Sequence, residues 1–563
     1  MIMFIKKNLL LILILICAFI SLMVLSFFNG SYYCFQDKCG LFFWRSHGHD
    51  ALWHMAVASI SFTKFPFIMP TFSGAELIGY NYLLDILLLL LQRINISFLF
   101  AYFKLIPTVW FIIFTFLLMK LARKIESKKV FVSLLLFFMY FTGSFSYFFT
   151  LSKDRTIWGS SGLLFYFNET MILNLQFGLS LIPLTVILIT ILKKSYDRKN
   201  IFIISLMTFI IFGLKFYGGV VALLLLIPYL IIGAINKKKN VVIFGITLLL
   251  SSLLAIFLFY NPVNSLKNNS IFIFSPFTSV HHITENPNLF FMKKLTNYRY
   301  AQMTRMINIK LLLIEGFNLI IFLFFYLGVR FFGVIYLIVK LIKKKATNFD
   351  MSIVVALFGS IAITTLFIQK GEWTNIYQFF YYSVFLSTFY LAELANKLIL
   401  SKKLIIKSLL IVFVLLAIPT TIDLFRTSFQ FPGLTYLPQG ELEALLVLKK
   451  QQPGIVFSPL YNKDVGQNMT LPKPLYAWGD TAYVSAFSGK QHYLSDIWME
   501  QITGVNYQVR LDLVNKNNCR FLQDIDYIYY NNDFKIARSL FDCPNKLQFL
   551  WGNRTSTIYR VIK

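Results

Sequence analysis

Long apolar runs punctuated by short lysine clusters set the pattern of this chain. About 20 predominantly apolar residues suffice for one helical crossing of a bilayer. The pattern predicts eleven such spans, at residues 8–28, 97–121, 129–150, 172–193, 200–216, 217–235, 240–260, 311–341, 350–369, 375–396 and 403–423. Lys6 and Lys7 precede the first, and no small-residue cleavage site follows it, so it reads as an uncleaved anchor with a cytoplasmic amino terminus. The clusters Lys120 to Lys129, Lys193 to Lys199, Lys237 to Lys239, Lys340 to Lys345 and Lys397 to Lys403 then all fall on the same side as Lys6 and Lys7. That agreement requires the apolar stretch 77–92 not to cross. It is expected as an interfacial helix within a long first outer loop, residues 29–96.

An odd number of spans divides the chain into a transmembrane domain, residues 1–425, and an exported soluble α/β domain, residues 426–563. In the latter, Glu441 to Lys450 has helical periodicity, while 454–458, 526–530 and 556–562 read as strands. Asp524-Ile525-Asp526 has the form of an Asp-x-Asp metal motif but runs directly into a strand, so it reads as a loop-to-strand edge.

Composition agrees with the pattern. The 563 residues are 57% hydrophobic and 14% charged, with a mean hydropathy of +0.67, whereas soluble domains carry about 25% charged residues. The net charge of +28 is spread in clusters between apolar runs. Membrane topology therefore accounts for it, and no nucleic-acid partner is expected. The chain is read as a multi-pass protein of the cytoplasmic membrane.

Cysteine usage fits an exported carboxy-terminal domain. Cys34 and Cys39 fall in the first outer loop and Cys519 and Cys543 in the tail, so Cys34–Cys39 and Cys519–Cys543 are the expected disulfides in an oxidising compartment; Cys17 lies in the first span.

The candidate chemistry lies just beyond the first span, in His47-Gly48-His49-Asp50-Ala51-Leu52-Trp53-His54. Ionisable groups near membrane depth are costly and mark functional sites. Asp50 and His54 are four apart and share a helix face, with His47 and His49 preceding the helix and Met55 and Val57 dipping into lipid. A carboxylate there can serve as general base toward an acceptor hydroxyl, and Trp53 suits a sugar ring. Two other readings stay open: His47, His49, Asp50 and His54 as ligands of a divalent metal such as zinc, or all of them as interfacial anchors. Cations that could face a departing phosphate are Lys370, beside Glu372 and Trp373, then Arg155, Lys215, Arg299 and Arg305. Lys215 lies between two short apolar runs with Tyr217 close by.

His49-Asp50-Ala51-Leu52-Trp53-His54, the stretch Phe72 to Asp85 and Lys370-Gly371-Glu372-Trp373-Thr374-Asn375, with this layout of spans, resemble the GT-C superfamily of integral-membrane glycosyltransferases. More narrowly they resemble a bacterial branch labelled as 6-pyruvoyl-tetrahydropterin-synthase-related membrane proteins. The resemblance covers roughly residues 1–425. It implies a transferase that takes a sugar from a polyprenyl-phosphate or polyprenyl-diphosphate donor on the outer face and passes it to a glycan, lipid or protein acceptor, with Asp50 activating the acceptor. Many relatives carry a second acidic residue immediately beside that one, where this chain has Ala51. Glu76, Asp85 and Glu372 are the candidates for the second acidic role. Two other functions fit the layout: a polysaccharide polymerase or ligase, and a transporter or flippase of lipid-linked saccharides. The last predicts internal repeats and charged residues along several spans, which the sequence lacks.

Overall fold

The computed structural model describes residues 2–260, 272–304, 308–430, 433–516, 519–534, 543 and 546–563. The chain forms two compact units, the first made of Met1–Met23, Thr108–Ile256 and Phe272–Phe429, the second of Val24–Pro107, Phe257–Ile271 and Gln430–Lys563.

The protein is a multi-pass membrane protein. Among the described residues, eight helices are long and apolar enough to cross a bilayer: Asn8–Phe27, Phe98–Ile125, Phe216–Ile235, Val241–Tyr260, Ile309–Leu327, Asn348–Leu366, Trp373–Leu400 and Leu404–Ser428. Three expected spans are helical but shorter. Lys129–Phe141 stops where Thr142 turns extended, Arg198–Leu214 has 17 residues, and Leu175–Ile191 is set at 105° to the preceding helix Phe167–Leu173. The expected span 311–341 breaks at Gly328 into Ile309–Leu327 and Arg330–Ile342. Gly328 has φ +57°, and a Cβ there would stand 2.5 Å from the Gly143 carbonyl oxygen, so close backbone approach accounts for the break. Just past it, buried Arg330 donates to Thr388 Oγ1 and to the Phe138 and Thr142 carbonyls, covering the carbonyls left at the end of the short Lys129–Phe141 helix.

The second unit joins the first outer loop to the carboxy-terminal segment. Ser31–Phe35 and Lys38–Phe43 form a hairpin closed by the Cys34–Cys39 disulfide, whose cysteines are directly cross-strand. Thr435–Pro438 adds antiparallel to Lys38–Phe43, and Lys473–Pro474 adds parallel to Thr435–Pro438. A second, five-stranded sheet runs in the order Lys546–Gly552, Ser556–Ile562, Tyr527–Asn531, Ile455–Phe457, Gln491–His492. The expected strands and the helix Gln439–Lys450 are thus present. The second expected disulfide, Cys519–Cys543, also forms. Asp526 enters its strand as expected, accepting from the Ile455 N–H at 2.8 Å.

The stretch 77–92 yields Leu83–Arg93, an 11-residue helix. At 1.5 Å per residue it is about 16 Å long, too short to cross. Backbone bonds lace the first loop to the tail: Ser73 N–H to the His492 carbonyl (2.8 Å), His492 N–H to the Pro70 carbonyl (2.8 Å) and Ser495 N–H to the Thr71 carbonyl (3.0 Å).

Candidate active site

The helix His47–Ile60 begins at His47 itself, with Ser46 at its cap. His47 and His49 therefore belong to the first turn rather than preceding it. Asp50 also sits in this turn, where the free N–H groups and the helix dipole favour a carboxylate. The apolar face is covered by protein instead of lipid: Val57 is fully buried, and the helix packs on Leu83–Arg93 and Tyr483–Ser488. Gly48 permits this docking, since a Cβ there would stand 2.6 Å from Thr435 Cγ2 and 3.2 Å from the Trp478 ring.

His49 is held between two carboxylates. Its Nδ1 lies 3.0 Å from Asp50 Oδ1 and its Nε2 3.1 Å from Asp496 Oδ1, with Trp498 edge-on at 4.9 Å. Burial alone would push the imidazole down, but Asp496 first and Asp50 second outweigh it and hold its pKa well above the ordinary value. Asp50 is shifted the other way. Burial acts to raise it, yet the hydrogen bond and charge of His49 keep its carboxyl below the ordinary value. Its side chain remains 36% exposed, whereas the Asp496 side chain is fully buried. Asp50 is thus an ionised carboxylate with one oxygen fixed and an open side.

Asp496 is itself positioned by the tail. It adopts φ 51°, ψ 54° at the start of Ile497–Thr503. Asp480 accepts the N–H groups of Asp496 (2.9 Å) and Ile497 (2.7 Å). Burial, then the charge of Asp496, raises the Asp480 carboxyl to about 6. Glu500, bonded by Thr71 Oγ1 at 2.5 Å, is driven well above its ordinary value by burial. His49, bridged to Asp50 and Asp496, therefore sits beside two carboxyls, Asp480 and Glu500, whose pKa values are raised.

The remaining residues of the motif point elsewhere. His54 Nδ1 pairs with Asp85 Oδ1 at 2.7 Å in a buried couple in which burial raises the Asp85 carboxyl. Buried His47 meets Phe103 edge-on at 5.1 Å, and burial lowers it to about 4. His47, His49, Asp50 and His54 do not converge on one point: His47 faces Phe103, His49 faces Asp50 and Asp496, and His54 faces Asp85. Among the described residues no three His, Cys, Asp or Glu are grouped to hold an ion. Trp53 is 2% exposed with Tyr80 edge-on at 5.5 Å, so it packs the helix and presents no open face to a sugar. Glu76 is half-buried and pairs its backbone with Ile68.

The other expected residues lie in the membrane unit. Lys215 is buried and donates to Asn174 Oδ1 at 3.2 Å, at the bend between Phe167–Leu173 and Leu175–Ile191. Tyr217 donates to Gln369 Oε1 at 2.5 Å, which brings Lys215 and Tyr217 to the strand that ends one residue before exposed Lys370. Glu372 caps the turn Trp373–Ile376, accepting from Thr374 N at 3.0 Å. Trp373 lies 6.0 Å from His282 and 5.9 Å from Tyr377. Arg299 is buried against Glu285 at 2.5 Å and near Glu315 at 3.6 Å, so its charge is balanced internally. Arg155 is exposed at the end of Tyr147–Asp154, with φ 56°. Arg305 falls outside the described residues.

Sequence reasoning missed Asp496, Asp480 and Glu500. Asp496 lies 447 positions from His49, and no local pattern marks it. The one usable signal was three acids within 21 residues, 480 to 500, of an acid-poor chain.

No protein-family model matches the sequence, and no curated protein sequence does. Solved structures do. The apo oligosaccharyltransferase of Archaeoglobus fulgidus aligns over 93% of this chain and 70% of its own, at 12% identity and TM-score 0.51. The same organism's oligosaccharyltransferase AglB, in complex with an inhibitory peptide and a dolichol-phosphate, gives 94%, 70%, 13% and 0.42. ArnT from Cupriavidus metallidurans, bound to undecaprenyl phosphate, gives 98%, 98%, 10% and 0.35. The first of these carries the fold: the chain shares its overall fold with that oligosaccharyltransferase.

Proposed function

We propose that this protein is a membrane glycosyltransferase that moves a sugar from a polyprenyl-phosphate or polyprenyl-diphosphate carrier to an acceptor hydroxyl or amine on the outer face of the cell membrane. Asp50 is the general base. The observation that carries the reading is the state of Asp50: ionised, gripped on one oxygen by His49, and accessible. His49, cationic between two carboxylates, has no lone pair to offer, and His54 is committed to Asp85. The fold shared with an oligosaccharyltransferase supports the reaction class.

In this scheme the acceptor oxygen or nitrogen attacks the anomeric carbon as the bond from that carbon to the carrier's phosphate oxygen breaks. The acceptor proton goes to Asp50 as the new bond forms, which a weak but fully ionised base can accept. The departing phosphate gathers negative charge, which a cationic side chain would balance. Glycan, lipid and protein acceptors all fit this chemistry.

Purified protein reconstituted in lipid and supplied with polyprenyl-phosphate sugars should transfer sugar to added acceptor. Asp50→Asn should lower the rate by about 10²–10⁴-fold while leaving the folded protein intact. Equal turnover in Asp50→Asn would overturn the assignment of the base.

A further inference from the structure

A groove of about 780 Å³ runs through the membrane unit between the helices Ile2–Phe27, Lys129–Phe141 and Leu404–Ala417, the last continued by Pro419–Ser428. Its walls are apolar, as at Phe137, Val414 and Phe425. At one end Lys129 Nζ donates to Asn8 Oδ1 at 2.9 Å. Among the described residues of the lining, Lys129 is the charged one. Lys124 and Lys128 lie nearby in sequence. The groove exists because Lys129–Phe141 spans only 13 residues, leaving its longer neighbours without a partner of equal length.

We propose that this groove binds one acyl chain of an anionic membrane phospholipid, with the headgroup at Lys129. The groove follows Lys129–Phe141 for about 20 Å at 1.5 Å per residue. That matches one leaflet's share, about 15 Å, of a hydrocarbon core about 30 Å thick, and it is too short for a long polyprenyl chain. The positive charge of Lys129 at the mouth favours an anionic headgroup over a zwitterionic one. By the lysine pattern this mouth opens on the cytoplasmic leaflet, where anionic headgroups are abundant.

Cys17 lines the groove and is the one cysteine outside the two disulfides, so its alkylation reports occupancy directly. The full-length protein would be placed in nanodiscs of phosphatidylcholine alone, or of equal parts phosphatidylcholine and phosphatidylglycerol, and the rate of alkylation by N-ethylmaleimide followed by mass spectrometry. Phosphatidylglycerol should slow alkylation by about fivefold, the weight of one lysine at an anionic surface, and Lys129→Gln should remove the difference. Equal rates in the two lipids would overturn the proposal. So would protection that follows protein concentration instead of lipid, since a second copy would then fill the groove. Protection by added polyprenyl phosphate in phosphatidylcholine alone would reassign the groove to the carrier and also overturn it.

Discussion

His49 Nε2 stands 3.1 Å from Asp496 Oδ1, tying the first turn of the loop-one helix to a residue 447 positions further along the chain. This contact raises the pKa of His49, whose hydrogen bond and charge in turn lower that of Asp50. Asp496 is therefore a positioning residue under the proposed function, and its removal has a signature distinct from loss of the base.

Asp496→Asn removes the larger of the two charges that raise the His49 pKa. The imidazole then loses its proton at a lower pH, and Asp50 loses its cationic partner there. The alkaline limb of the pH–kcat profile should move to lower pH, with KM little changed. A uniform loss of activity at every pH would point to a merely structural role.

Gly48→Ala should disturb the same site without touching its chemistry. The new Cβ would meet Thr435 Cγ2 at 2.6 Å, pushing the strand Thr435–Pro438 off the helix start. Activity and melting temperature should both fall. Thr435→Ser should restore much of both, because it deletes Cγ2 and keeps the hydroxyl that donates to the Lys473 carbonyl at 2.8 Å. Failure of that rescue would place the damage elsewhere.

Glu441 makes stability pH-dependent in a defined direction. Burial raises its carboxyl from 4.5 to about 7, opposed by the Tyr529 hydroxyl at 2.7 Å. The folded form thus holds a proton that the unfolded form releases. This contribution is fully present below the unfolded value of 4.5 and is lost as the pH rises through about 7. The difference amounts to about 3 kcal/mol at 1.4 kcal/mol per tenfold. Glu441→Gln should flatten the fall in melting temperature as the pH rises from about 4.5 through about 7. Parallel curves for variant and wild type would refute the assignment.

The two disulfides should differ in weight. They close loops separated by 5 and 24 residues, which on the chain-entropy account correspond to about 2 and about 3.5 kcal/mol. The double variant Cys519→Ser/Cys543→Ser should therefore lower the melting temperature more than Cys34→Ser/Cys39→Ser, as read by intrinsic fluorescence.

Much of this protein is settled by residues near one another in sequence. Hydrophobic runs specify helices wherever they occur, because in a bilayer the backbone satisfies its own polar groups within one segment. All eleven apolar segments are helical for that reason. The same locality made the Cys34–Cys39 pair and the carboxy-terminal strands readable. Span lengths were less so: the end of Lys129–Phe141 at Thr142 and the break at Gly328 depend on backbone packing against other segments.

The company Asp50 keeps was decided by tertiary structure alone. From sequence, four ionisable residues within eight positions suggest one shared site. In the fold, His47 turns to Phe103, His54 to Asp85, and His49 to Asp50 and Asp496. Successive positions on a helix project about 100° apart, so neighbours in sequence reach different partners. Which partners those are depends on how the tail laces onto residues 70–73. Periodicity fixes a residue's face, but the charge opposite it comes from a distant segment, and no local pattern encodes that.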